Sequence, residues 1–141
     1  MLNRDLTNNL NVQRAFASAQ VTASANSALL VDTQGYEAVM FVVLIAAVSA
    51  ADASNYLTFK VEESDDSSGF TDSTMVTDTA SRIQGSQLVI NATSMANSVK
   101  KFGVTVGTKR YLRLVFAETG TFDAVFGAIA VLGGARHAPV S

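Results

Sequence analysis

The 141-residue sequence contains no cysteine, no tryptophan, a single proline and a single histidine. Without cysteine there is neither a disulfide framework nor a thiolate metal site, so stability has to come from packing or oligomerisation. That usage is compatible with a reducing cytoplasm. With one histidine, any Ser-His-Asp triad or histidine-ligated metal must use His137, which sits between Gly133-Gly134 and Pro139. A catalytic imidazole needs packing and a second partner to hold it, and a flexible tail supplies neither. The absence of tryptophan removes the stacking platform that sugar-binding sandwiches commonly use, and Tyr36, Tyr56 and Tyr111 read as strand-rim residues.

Charge is also scarce, with 16% charged residues and a formal net charge of -2. Basic residues gather only at Lys100-Lys101 and at Lys109-Arg110 with Arg113, which falls short of the stripe that phosphate binding requires, so no nucleic-acid partner is expected. Gly103, Gly107 and Gly133-Gly134 lack the spacing of a phosphate-cradling loop. The apolar run from Ala38 to Ala51 is shorter than the roughly 18 to 20 residues that cross a bilayer, so no membrane partner is expected. The opening residues, through Phe16, have no apolar h-region, and no secretory leader is expected. These absences together predict a protein that is not an enzyme and carries no cofactor or metal.

What the chain does have is apolar substance, 48% of its residues, enough for one core in one domain. Val39 to Val48 and Phe122 to Leu132 are rich in strand-forming residues and apolar on both faces. An ordinary sandwich strand shows one face to the core and alternates with polar residues on the other. In a short chain, a second apolar face points to a contact with another copy or another protein.

The remaining pattern is strand and turn. Residues 56–63 alternate, with Leu57, Phe59 and Val61 facing one way and Thr58, Lys60 and Glu62 the other. Asp32-Thr33-Gln34-Gly35 has the chemistry of a tight turn. Shorter strands are expected over 70–76 and 87–91. Val99 to Val106 and Tyr111 to Ala117 are separated by a short loop around Gly107, which predicts a hairpin. In the second of these, Leu112, Leu114 and Phe116 should point inward and Tyr111 and Arg113 outward. About eight strands with no sustained amphipathic helix predict an all-β sandwich of jelly-roll type. Its expected bounds are 29–133, preceded by an arm and lead-in over 1–28 and followed by a flexible tail over 134–141. In the arm, Leu2, Leu6 and Leu10 are spaced four apart, which would align them on one side of a short helix able to dock on a neighbour.

One acidic cluster, Glu62-Glu63-Ser64-Asp65-Asp66, offers oxygen ligands. It lacks the spacing of a calcium-binding loop and reads as a solvated turn.

Three motifs in this order, Asp32-x-Gln34-Gly35-Tyr36, Glu62-Glu63-Ser64-Asp65-Asp66 followed by Phe70, and Lys109-Arg110-Tyr111-x-Arg113, resemble those of small tailed-bacteriophage head decoration, or capsid cement, proteins. The resemblance runs from about Leu29 to Pro139 and departs from the pattern in the insertion-like stretch Ala80 to Asn97. It implies a structural virion protein, made in the host cytoplasm, that decorates and stabilises the capsid exterior. Its implied partners are the major capsid protein and itself, as a homotrimer bridging capsomers. The alternatives are a phage tail or connector subunit and a virion-displayed carbohydrate-binding module. The contact residues expected on this reading are Leu2, Leu6 and Leu10 in the arm, and Met40, Val42, Leu44, Val125, Ile129 and Val131 on the second faces of the two apolar strands.

Overall fold

The computed structural model describes residues 6–21, 29–73 and 88–136. Among these residues the chain forms nine strands: β1 (Asn11–Val21), β2 (Val31–Asp32), β3 (Ala38–Ala50), β4 (Tyr56–Ser64), β5 (Thr71–Asp72), β6 (Leu88–Ile90), β7 (Ser98–Thr105), β8 (Tyr111–Thr119) and β9 (Asp123–Gly133). One sheet runs β1-β9-β3-β7 and the other β2-β8-β4-β5, with β6 also paired to β4. Every pairing is antiparallel.

The partners nest. β1 pairs with β9, β2 with β8, β3 with β7, and β4 with β5 and β6. A chain paired in this way is one long antiparallel ribbon rolled over on itself, which is a jelly roll. Pairing of β9 with β3 and of β8 with β4 then closes the two sheets.

Between the sheets lies an apolar core. Val39, Phe41, Val43 and Ile45 of β3 and Phe126, Ala130 and Leu132 of β9 face Leu57, Phe59 and Val61 of β4 and Leu112, Leu114 and Phe116 of β8. At its centre Phe126 stacks on Phe16 at 5.1 Å between centroids and meets Phe59 and Phe116 edge-on at 5.2 and 5.4 Å. Such aromatic pairs add about 0.5–1.5 kcal/mol each beyond the area they bury.

Four expectations are corrected. The sandwich begins earlier than Leu29, because β1, placed in the lead-in, is an edge strand hydrogen-bonded along β9. Its alternation is erased by register shifts on either side of Phe16, which bury the adjacent residues Ala15 and Phe16 together. Second, β7 and β8 are not a hairpin: β7 pairs with β3 and β8 with β4 and β2, so the loop around Gly107 crosses from one sheet to the other. A short glycine loop suits either connection, and only the rolled topology decides between them. Third, where a short helix was expected to align Leu2, Leu6 and Leu10, the described part of the arm, residues 6–10, is a single turn closed by Leu10 N–H to Leu6 C=O at 3.0 Å. One turn fixes several dihedrals for few hydrogen bonds and does not propagate without a partner face. Fourth, of the strand expected over 70–76, the described part is β5, two residues long.

The turn after β2 forms as its chemistry predicts. Tyr36 N–H bonds Thr33 C=O at 3.0 Å, Asp32 Oδ1 accepts from Gln34 N–H at 3.0 Å, and Gly35 has a φ of 88°. A φ of that sign at the third position of a turn is what glycine permits without strain.

Candidate functional site: an apolar sheet face

Opposite the core, the outer surface of the β1-β9-β3-β7 sheet is apolar across its two central strands, β9 and β3, and reaches the edges at Val12 and Val99. Strand register sets out its rows. Val12, Val131, Met40 and Gly103 lie side by side across β1, β9, β3 and β7. The next row is Arg14, Ile129, Val42 and Lys101, and beyond it Gly127, Leu44 and Val99. Four strands at about 4.8 Å spacing make the face roughly 14 Å wide. Val12 and Val99 are each 59% exposed, Leu44 47% and Met40 36%, and these four account for most of the large apolar side chains exposed among the described residues. Isolated exposed leucines are ordinary on a protein surface, whereas adjacent ones on a single face are not.

Cations border this face at both edges. Arg14 on β1 and Lys101 on β7 flank the middle row, and neither makes an ion pair among the described residues. Toward one end, small residues lower the surface. Ala38, Gly103 and Gly133 occupy neighbouring outward positions and floor a groove of about 380 Å³, walled by Leu10, Met40 and Lys101.

The other sheet is the opposite in character. Arg113 bonds Glu62 at 2.5 Å and stacks over the Phe70 ring at 4.2 Å, while Lys60 bonds Asp72 at 2.6 Å. At the sheet end Arg110 grips Asp32 with Nε and Nη2 at 3.0 and 2.7 Å, and its guanidinium holds the Asp32 carboxyl below the usual carboxylate range. Of the acidic turn, Asp65 pairs with Lys109, Glu63 accepts from Ser73 at 2.8 Å, and Asp66 Oδ1 caps Ser68 N–H at 3.0 Å and Ser68 Oγ at 2.8 Å. The hydrogen bonds from Ser68 lower the Asp66 pKa. Here the carboxylates are engaged by protein groups, and no three carboxylate or histidine side chains among the described residues converge on a metal-sized space. Within the same residues no buried side-chain polar atom lacks a hydrogen-bond partner.

Of the residues singled out from sequence, Met40, Val42, Leu44, Val125, Ile129 and Val131 all fall on the apolar outer face. Val42, Val125, Ile129 and Val131 are partly covered by their neighbours there. Leu10 is half-buried at the groove and Leu6 is 64% exposed on its turn. Leu2 and His137 lie outside the described residues, as do residues 80–87 of the Ala80 to Asn97 stretch. Sequence reasoning missed Val12, Arg14, Val99 and Lys101. With Phe102 and Val104 taken as inward, alternation alone would have put Val99 and Lys101 on the outer face, whereas Val12 and Arg14 required the register of β1.

No protein-family model matches the sequence, and no curated protein matches it. Among solved structures, the SPBc2 prophage-derived protein YomS superposes with a TM-score of 0.52 at 10% identity, over 86% of this chain and 92% of that one. The two share a fold. An infectious bursal disease virus (Gx strain) structure matches at a TM-score of 0.44 and 10% identity, over 92% of this chain and 33% of that one. Eiger TNF from S. frugiperda matches at 0.30 and 9% identity, over 91% and 99%. Both are too loose to bear on the fold.

Proposed function

We propose that this chain is a structural protein of a bacteriophage particle, which decorates and stabilises the capsid exterior as a homotrimer bridging capsomers. The observation that carries the reading is the apolar outer face of the β1-β9-β3-β7 sheet, which none of the described residues of a single copy covers. Burying apolar surface contributes about 25 cal/mol per Å², and contacts repeated over a shell add avidity to individually weak ones. Three further observations support it: the ordered motifs that resemble head decoration proteins, the jelly-roll topology, and a fold in common with a prophage-derived protein. The ion-paired outer face of the other sheet suits the side turned to solvent.

Light scattering on the purified chain at micromolar concentration tests self-association. A trimer mass is expected, and a monomer would overturn it. Leu44→Lys, in the middle of the face, should abolish association while costing no more than about 1 kcal/mol of folding stability, the span of strand propensities. Co-sedimentation with empty capsids built of the major capsid protein tests the partner: wild type should pellet with the shells and Leu44→Lys should stay in the supernatant.

A further inference from the structure

We propose that the groove at the end of the apolar face receives Leu6 of a second copy, so that subunits are joined by exchange of their N-terminal turns. This inference rests on the self-association proposed above and names the contact that makes it. The groove is apolar, and its floor of Ala38, Gly103 and Gly133 lets an incoming side chain approach the backbone closely. Of the described N-terminal turn, Leu10 alone reaches it, at the rim. The turn closed between Leu6 C=O and Leu10 N–H at 3.0 Å presents Leu6 outward instead, 64% exposed, the most exposed large apolar side chain described. An apolar groove and an unburied leucine therefore lie a few residues apart on one chain, and the turn keeps them from meeting in that chain. Two copies satisfy both.

Charge favours the same occupant. Lys101 on the groove wall makes no ion pair among the described residues, and Asp5, which adjoins Leu6 in the sequence, carries the opposite charge. The groove is also continuous with the apolar face through Met40, so arm and face would form one interface.

The cysteine-free sequence makes the contact directly testable. Leu6→Cys and Thr105→Cys, prepared as separate chains with tags of different mass, are mixed and treated with a short bismaleimide. A mixed cross-linked dimer is expected, and it should be absent when Thr58→Cys, on the opposite sheet, replaces Thr105→Cys. If the mixture gives no product, while a chain carrying both substitutions links within itself, the groove holds its own arm and the proposal fails. If neither gives a product, the proposal fails as well. Light scattering on wild type separates the two levels: an oligomer without cross-link removes arm exchange alone, and a monomer removes self-association with it.

Discussion

At the scale of single residues, the ion pair between Asp32 and Arg110 makes a pH dependence that can be signed. Arg110's hydrogen bonds lower the Asp32 pKa, burial opposes them, and Gln34 N–H adds to the lowering. A carboxylate whose folded pKa is depressed contributes stability that is in place above its ordinary value, near 4, and is lost as the pH falls through the lower folded value. Both side chains are more than 40% exposed, so the contribution is that of a surface pair, under about 1 kcal/mol. Arg110→Ala should move the Asp32 titration upward toward the ordinary carboxylate range in a carboxyl-carbon NMR titration. The acid limb of its melting temperature below about pH 4 should become shallower. An Asp32 titration that does not move would show that the guanidinium does not set it. Also at this scale, Gly120 has a φ of 71°, and a Cβ there would meet Asn55 Oδ1 at 2.3 Å and Ser54 O at 2.5 Å, so the tight turn into β9 depends on glycine.

Among the elements, β1 decides where the folded unit starts. It contributes Ala15, Phe16 and Val21 to the core and covers the β9 edge with backbone hydrogen bonds. Removing residues 1–9 should therefore leave a cooperative melt, whereas removing residues 1–21 should abolish it. Loss of the Phe16 ring alone is worth about 3–5 kcal/mol against a total of about 5–15 kcal/mol. Circular dichroism during thermal denaturation reads both variants, and a cooperative melt in the longer deletion would place β1 outside the folded unit. The elements also show what a sequence can and cannot convey. β3, β4, β8 and β9 were legible because unbroken alternation, or its replacement by apolar residues on both faces, survives over nine or more positions. β1 was not, because a bulge shifts the period midway and its Ala-Ser composition carries little strand preference. The candidate face divided in the same way. Its centre on β3 and β9 could be read as surplus apolar surface, but its edges depend on which strands lie alongside, information that resides in register and not in local pattern.

For the molecule as a whole, the nested pairing imposes a kinetic cost. Asn11 finds Leu132 and Val31 finds Leu112, partners separated by most of the chain, and no pair of strands adjacent in sequence among β7, β8 and β9 forms a hairpin. Loop closure must precede the contacts that reward it, so refolding should take milliseconds to seconds, the range of sandwich folds. Stopped-flow fluorescence from the tyrosines would measure it, and completion within microseconds would contradict the topology described. Polarity is likewise a property of the whole: one sheet turns an ion-paired surface outward and the other an apolar one. Such a molecule has a wet side and a sticky side, which suits it to lie on a surface in one orientation.

The same pairing places the two ends of the rolled ribbon next to each other, with Asn11 opposite Leu132 at one end of β1 and β9. A linker of a few residues could therefore join residue 136 to residue 6 and allow the chain to be reopened in the exposed turn at Ser67-Ser68, giving a circular permutant with every strand pairing intact. By the same geometry, peptides joined ahead of β1 and after β9 would leave from the same corner of the subunit, where Asn11 lies opposite Leu132. In any array of many copies, that corner would be the natural point for two-component display, with two different cargoes held side by side at each site.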